Sequence, residues 1–228
     1  MSGTLRLQTE FEYSHLFPSK MGAGILYNKE GHILTNAHVV SHSFEVPSPG
    51  TLAMAKHWVA GKVVANFKDG EQYDAEVLYV DVGNDVALLK IPESVIMPSN
   101  IPCVFSKDVP GRGDNFFVVG HPHDVIPFNV KYGRVSDPSR PPSDIHANFL
   151  NHSYEHMDPA MKFLELDVMG ARGFSGGPLS TVEGLVFGVF HAGMPEIGWY
   201  GIPFAIIESA LGRMFKRSPG DPVFCHLN

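Results

Sequence analysis

The sequence predicts an antiparallel all-β fold, barrel or sandwich, closed by one helix near the C-terminus. Three observations predict it. Ten short stretches rich in β-branched and aromatic residues recur along the 228-residue chain, most of them ended by Gly, Asn, Asp or Pro. Helical spacing occurs convincingly once, where Ala205, Ile206, Ile207, Ala210, Leu211 and Met214 recur ahead of Pro219 and Gly220. A hydrophobic fraction of 44% over this length can bury a sizeable core, and the chain is long enough for one domain made of two small barrels or for two domains.

The β-rich stretches in order are GAGILYN, HILTNAHVV, KVVANF, YDAEVLYVD, VALLKI, NFFVVG, VKYGRVS, FLELDV, LVFGVF and YGIPFAII. Two intervals break this rhythm, Ser41 to Gly61 and Asp137 to Pro159, and both read as long surface loops. A third break from Pro92 to Gly113 lies where a linker between two similar halves would fall. No internal repeat is evident.

The formal net charge of -7 excludes nucleic acid or an anionic membrane as the main partner, because each requires clustered Lys and Arg to neutralise phosphate. No apolar run approaches the roughly 20 residues that span a bilayer, and MSGTLRLQTEFEY lacks the apolar stretch of a secretory signal. Either the chain stays where it is made or a leader precedes its numbering; an intracellular location is the expectation. Cys103 and Cys225 allow at most one disulfide, so two reduced thiols are expected.

The chemistry-bearing signals are three. In Gly173-Phe174-Ser175-Gly176-Gly177-Pro178-Leu179 a serine sits between glycines at a tight turn. Flanking glycines expose its Oγ and let the N–H groups of Gly173 and Ser175 aim at an oxygen that becomes negative during acyl transfer. In Leu34-Thr35-Asn36-Ala37-His38-Val39-Val40 a histidine ends an apolar strand, and an imidazole titrating near neutrality suits a general base. In Gly83-Asn84-Asp85-Val86-Ala87-Leu88-Leu89 an acid opens a buried-looking strand, which is costly unless a donor such as the His38 ring meets it. Each motif alone is weak, but together they follow the order His, Asp, Ser with gaps of 47 and 90 residues.

The segments TNAHVV, NDVALLKI and GFSGGPL resemble the three signatures of trypsin-like serine proteases, specifically the HtrA branch. GAGILYNKEGHILTNAHVV, FKDGEQYDAEVLYVD, GDNFFVVGHP and YGIPFAI extend the resemblance from Gly22 to Ile207. It implies a trypsin-like double barrel of two six-stranded antiparallel β-barrels with a C-terminal helix capping the second. Residues 1–228 then form a single protease domain, with about 1–95 the first barrel (His38, Asp85) and about 112–228 the second (Ser175). It also implies a serine endopeptidase with His38, Asp85 and Ser175 as triad and Gly173 and Ser175 as oxyanion donors. No cofactor is implied. The chain departs from the HtrA pattern at Arg172 and Phe174, where Pro and Asn are usual, so a latent or inactive protease-fold chaperone or scaffold is the alternative. Relatives of this branch commonly carry a PDZ domain after the protease; with Asn228 soon after the helix, either a member lacking it or a fragment of a longer protease is expected. In relatives an aromatic N-terminal segment builds a trimer; here Phe11, Tyr13 and Phe17 could do so or simply pack on their own domain.

The strand Gly188-Val189-Phe190-His191-Ala192-Gly193 resembles the edge that pairs with an extended substrate, which makes Phe190, His191 and Ala192 the candidate substrate-binding residues. A histidine favouring Glu or Gln would lie two residues after the strand glycine, whereas His191 lies three after Gly188. That frame puts Phe190 at the first specificity pocket and turns His191 toward the Asp-His pair. Cleavage after small or medium apolar residues follows. His146, His152 and His156 fit no zinc spacing, and no metal is expected.

Overall fold

The computed structural model describes residues 3–11, 20–46, 54–145, 160–196, 198–216 and 224–225. The first half of the chain supplies β1 (Thr4–Glu10), β2 (Lys20–Leu26), β3 (His32–Thr35), β4 (Ser41–Val46), β5 (Met54–Val59), β6 (Lys62–Asn66), β7 (Gln72–Asp74), β8 (Glu76–Asp81) and β9 (Val86–Lys90). The second supplies β10 (Val104–Phe105), β11 (Asn115–Gly120), β12 (Asn129–Arg140), β13 (Phe163–Asp167), β14 (Pro178–Thr181), β15 (Leu185–Met194) and β16 (Gly198–Pro203), then the C-terminal helix (Phe204–Met214) and β17 (Phe224–Cys225).

Both halves are curled sheets, antiparallel apart from the short pairs β10–β15 and β17–β8. The second closes completely in the order β15-β14-β11-β12-β13-β16, with β16 pairing back onto β15. The first runs β8-β9-β3-β2-β1-β6-β7 and stays a half-barrel, joined near its open edge by the Ala75 N–H donating to the Val63 carbonyl at 2.8 Å. The alternation of buried and solvent-facing residues along β1 and β6 is what a one-sided sheet requires. Each half has its own core: Leu5, Leu7, Ile33, Val63 and Leu89 in the first, Phe116, Val118, Leu166, Phe187 and Phe190 in the second.

The helix packs on the second barrel and reaches across to the first half as well. Its apolar stripe, Phe204, Ile207, Ala210, Leu211 and Met214, joins Ile25, Leu34, Tyr79 and Leu88 of the first half and Val189 and Ile202 of the second in one core. Arg213 Nη2 donates to Asp81 Oδ2 at 2.7 Å, and that buried carboxylate also accepts the Asn84 backbone N–H and side-chain amide, each at 2.9 Å. The helix therefore locks the turn that leads into β9.

The Ser41–Gly61 interval is a β-hairpin, β4 against β5, rather than an irregular loop. Of the second long interval, β12 extends to Arg140, and His146, His152 and His156 lie outside the described residues. Phe11 is buried, its ring 4.5 Å from that of His42, so it packs on its own half; Tyr13 and Phe17 lie outside the described residues. Cys103 is a free thiol whose pKa burial pushes up to about 11.

Candidate functional site

The site forms where the two barrels meet. His38 does not end a strand: β3 stops at Thr35, and the chain turns through the short helix α1 (Ala37–Val40), which lifts the imidazole out at 38% side-chain exposure. Asp85 immediately precedes β9 in left-handed backbone, φ 50°, a conformation that costs a non-glycine residue about 1–3 kcal/mol. The surroundings over-determine it. Its carbonyl accepts from Asn36 Nδ2 at 3.1 Å, its Oδ1 from the His38 backbone N–H at 2.8 Å, and its Oδ2 faces the His38 Nδ1 at 2.8 Å.

His191 Nδ1 stands 2.6 Å from the same Oδ2. Burial alone would raise the Asp85 carboxyl, but the charges and hydrogen bonds of His38 and His191 outweigh it and hold the group well below the usual carboxylate range. Burial lowers His191, opposed by the Asp85 charge and hydrogen bond.

Ser175 reaches the cleft from the second barrel and is fixed to the first: the Ala23 N–H donates to the Ser175 carbonyl at 2.7 Å. Its hydroxyl donates to the His191 carbonyl at 2.9 Å. Among the described residues no hydrogen bond joins Ser175 Oγ to the His38 ring, so the nucleophile candidate is turned toward β15.

The turn before Ser175 is held in one sense. Gly173 has φ 99°, and a Cβ there would overlap the His121 carbonyl. The His123 N–H donates to the Arg172 carbonyl at 3.0 Å and the His121 N–H to the Gly173 carbonyl at 2.9 Å. Carbonyl and N–H of one peptide unit point in opposite directions. With the Arg172 carbonyl drawn toward His123, the Gly173 N–H is turned away from it, and among the described residues the Gly173 and Ser175 N–H groups donate to no acceptor.

Phe174, at the position where the HtrA pattern has Asn, is fully buried against Phe190, ring centroids 5.9 Å apart. Burying a phenyl ring stabilises by about 1.5–3 kcal/mol, more than the 0.5–1.5 kcal/mol, roughly, of a neutral hydrogen bond. An apolar anchor thus replaces a polar one. Gly120 leaves the space for it, since a Cβ there would come within 2.7 Å of Phe174 Cα.

Phe190 is 1% exposed and packs beside Trp199, centroids 5.8 Å apart, while Gly170 and Gly193 lie against the Trp199 ring with no room for a Cβ. Its N–H donates to the Gly177 carbonyl and its carbonyl accepts the Gly176 N–H. Ala192 is half-buried on the same strand. Pairing between β14 and β15 ends at Val189, so from His191 onward β15 is paired with β16 alone among the described residues.

Three contributors escaped the sequence reading. Lys20 opens β2 and donates Nζ to the His38 carbonyl at 2.7 Å and the Ser41 carbonyl at 2.8 Å, tying down the end of α1. Burial lowers its pKa to about 8, offset in part by the Asp85 charge. A lysine leading the apolar run MGAGIL carried the same cue as Asp85 before VALLK. His121, buried, accepts the Phe128 N–H on Nδ1 at 2.9 Å and donates Nε2–H to the Leu5 carbonyl at 3.0 Å, linking the 121–128 turn to the first barrel. Trp199 had no signal beyond its size. The donor atoms of His38, Asp85 and His191 lie within 4.8 Å of one another, a spacing a metal ion could use, but each Nδ1 already faces Asp85 Oδ2 at hydrogen-bond distance.

Two curled antiparallel barrels, with a paired His and Asp from one and a glycine-flanked Ser from the other, define the chymotrypsin-like class. The chain belongs to the trypsin-like peptidase domain family, which it matches over residues 22–189. It is 29% identical over 200 residues to the mitochondrial serine protease HTRA2 of Bos taurus, covering 88% of this chain and 36% of that protein. It is 28% identical over 203 residues to a DegP-like protein of Chlamydia muridarum named as a periplasmic serine endoprotease, covering 88% and 34%. The chain thus spans about a third of the length of these relatives. Among solved structures, the HtrA-type protease AlgW with tripeptide superposes with a TM-score of 0.69 at 21% identity, covering 94% of this chain and 60% of that one. The serine endoprotease from Yersinia pestis gives 0.67 at 19%, covering 94% and 63%. These likenesses establish the double-barrel fold.

The Lys20 ammonium generates a test. Its native pKa lies below the 10.5 of a free lysine, so the native state binds fewer protons than the unfolded state between about pH 8 and 10.5. The cost of the buried charge is fully present below that window and is relieved as pH rises through it. In urea unfolding, the stability of the wild type relative to Lys20→Met should rise from pH 8 to pH 10; a difference that stays flat would refute the assignment.

Proposed function

We propose that the chain is a serine endopeptidase working through an acyl-enzyme, residues 1–228 acting as one protease unit with the cleft between its barrels. The observation that carries this reading is the Asp85 carboxylate holding His38 by both its backbone N–H and its Nδ1, at 2.8 Å each. A histidine so held presents its other ring nitrogen as a base toward the Ser175 side of the cleft. Ser175 Oγ attacks a peptide carbonyl as its proton passes to His38 Nε2, and the new oxyanion receives the Gly173 and Ser175 N–H groups. The C–N bond breaks as His38 returns the proton to the leaving amine, and water repeats the sequence to free the acid.

An extended substrate adds along the open edge of β15 from His191. Phe190 and Trp199, filling the space beside Gly170 and Gly193, leave a shallow first pocket that suits small or medium apolar residues. Protein or peptide chains are the substrates. A homotrimer built by the N-terminal segment would use Tyr13 and Phe17, since Phe11 is spent on its own half. The free Cys103 fits an intracellular setting. The rival, a latent chaperone or scaffold, needs a collapsed oxyanion turn; the His123–Arg172 bond and the buried Phe174 speak for a formed one.

A fluorophosphonate should label the wild type at Ser175 and fail to label Ser175→Ala or His38→Ala, and Asp85→Asn should lower kcat by about 10⁴. Failure to label the wild type, with peptide present, would overturn the enzyme reading. Gly173→Ala, whose Cβ would strike the His121 carbonyl, should displace the turn and its N–H and lower kcat by about 10²–10³, the usual loss of one oxyanion donor, with circular dichroism separating this local shift from unfolding. A peptide library should return Ala, Ser, Val or similar residues before the cut, and Trp199→Ala should raise kcat/KM for Leu or Phe at that position by roughly tenfold or more. A wild-type preference for Glu or Gln would sink the pocket assignment.

A further inference from the structure

His191 is 106 residues from Asp85 in sequence, yet its Nδ1 approaches Oδ2 at 2.6 Å, closer than the 2.8 Å of His38. The ring is 1% exposed, stacked on Phe163 at 5.5 Å and 22°, and edge-on to His38 at 5.7 Å and 72°. Burial disfavours its charged form, and a neutral ring facing a carboxylate at this distance must donate, so Nδ1 carries the proton. Asp85 thereby accepts three N–H groups: two imidazole donors on one oxygen and a backbone donor on the other. The His191 carbonyl accepts the Ser175 hydroxyl.

We propose that His191 is a positioning residue for the hydrolysis proposed above. By donating Nδ1–H to Asp85 Oδ2 it fixes the carboxylate and draws charge from the oxygen that His38 shares, so that His38 gives up its imidazolium form, and becomes a base, at lower pH than it would beside an undivided carboxylate. The inference rests on the protease reading only for its effect on rate. The titratable groups at the cluster among the described residues are His38 on α1, Asp85 before β9, His191 on β15 and the Lys20 ammonium on β2, whose charge acts on Asp85. Phe163, from β13, does not titrate.

His191→Leu removes the donor at similar volume, and His191→Asn keeps an amide N–H close to where Nδ1 stands. Without the donor, Asp85 stabilises the His38 imidazolium more strongly, and the acid limb of kcat/KM should move up by about one pH unit, a tenfold loss on that limb. His191→Asn should restore most of the shift. Wild-type proton NMR should show two low-field imidazole N–H resonances, and His191→Leu one. The same pH comparison, read on the remaining His38 resonance, needs no turnover. Coincident pH titrations of the wild type and the Leu variant would overturn the proposal, as would equal shifts in the Leu and Asn variants, which would mark a packing role. An unlabelled wild type that still shows both resonances and the shifted titration would instead refute the protease reading alone.

Discussion

A single carboxylate holds this cleft together. Asp85 occupies a left-handed backbone conformation, is 5% exposed, and would be an expensive guest in the interior if it stood alone. Donors from three elements change that balance: α1 contributes a backbone N–H and a ring, β15 a second ring, and Asn36 an amide to the Asp85 carbonyl. Because α1 and Asp85 belong to the first half and β15 to the second, the same interaction that solves a local solvation problem also fixes how the barrels meet at the site. The C-terminal helix supports it from behind, since Arg213 and Asn84 saturate Asp81 four residues upstream.

The oxyanion turn is stabilised differently. Polar anchoring at position 174 is absent, and a phenyl ring buried among Phe190 and the Gly120 backbone takes its place. An apolar anchor has no directional preference of its own, so the sense of the 172–173 peptide depends on the His121 and His123 N–H groups. His121 in turn is tied to Leu5 in β1 and to Phe128 across its own turn. The arrangement therefore draws its direction from backbone hydrogen bonds and its strength from burial.

How much of this was legible in the sequence follows from the range of the interactions involved. His38, Asp85 and Ser175 were legible because each sits at a local irregularity: a polar residue beside an apolar run, or a serine between glycines. The two-barrel architecture was legible through the resemblance, whereas periodicity alone left barrel and sandwich open. The hairpin β4–β5 looks like a loop in sequence because Pro47, Pro49 and Gly50 interrupt the alternation between its two strands. The helix is legible as a packed element from its stripe, but the stripe does not show that it bridges to the first half as well as to the second barrel. Lys20 reaches His38, 18 residues away, His121 reaches Leu5, 116 away, and Trp199 lies against Gly170 on another segment, and nothing in their neighbours' identities encodes those partners.

The resting position of Ser175 gains meaning from the edge beside it. Its hydroxyl occupies the His191 carbonyl, which is also a backbone acceptor on the stretch of β15 left open for an added strand. In the proposed mechanism a substrate that pairs there brings an N–H of its own to the same carbonyl oxygen and competes with the hydroxyl for its lone pairs. The proposed attack requires the hydroxyl to leave that carbonyl for the His38 ring. In that reading strand addition and activation of the nucleophile share one carbonyl, which couples peptide binding to the alignment of the serine.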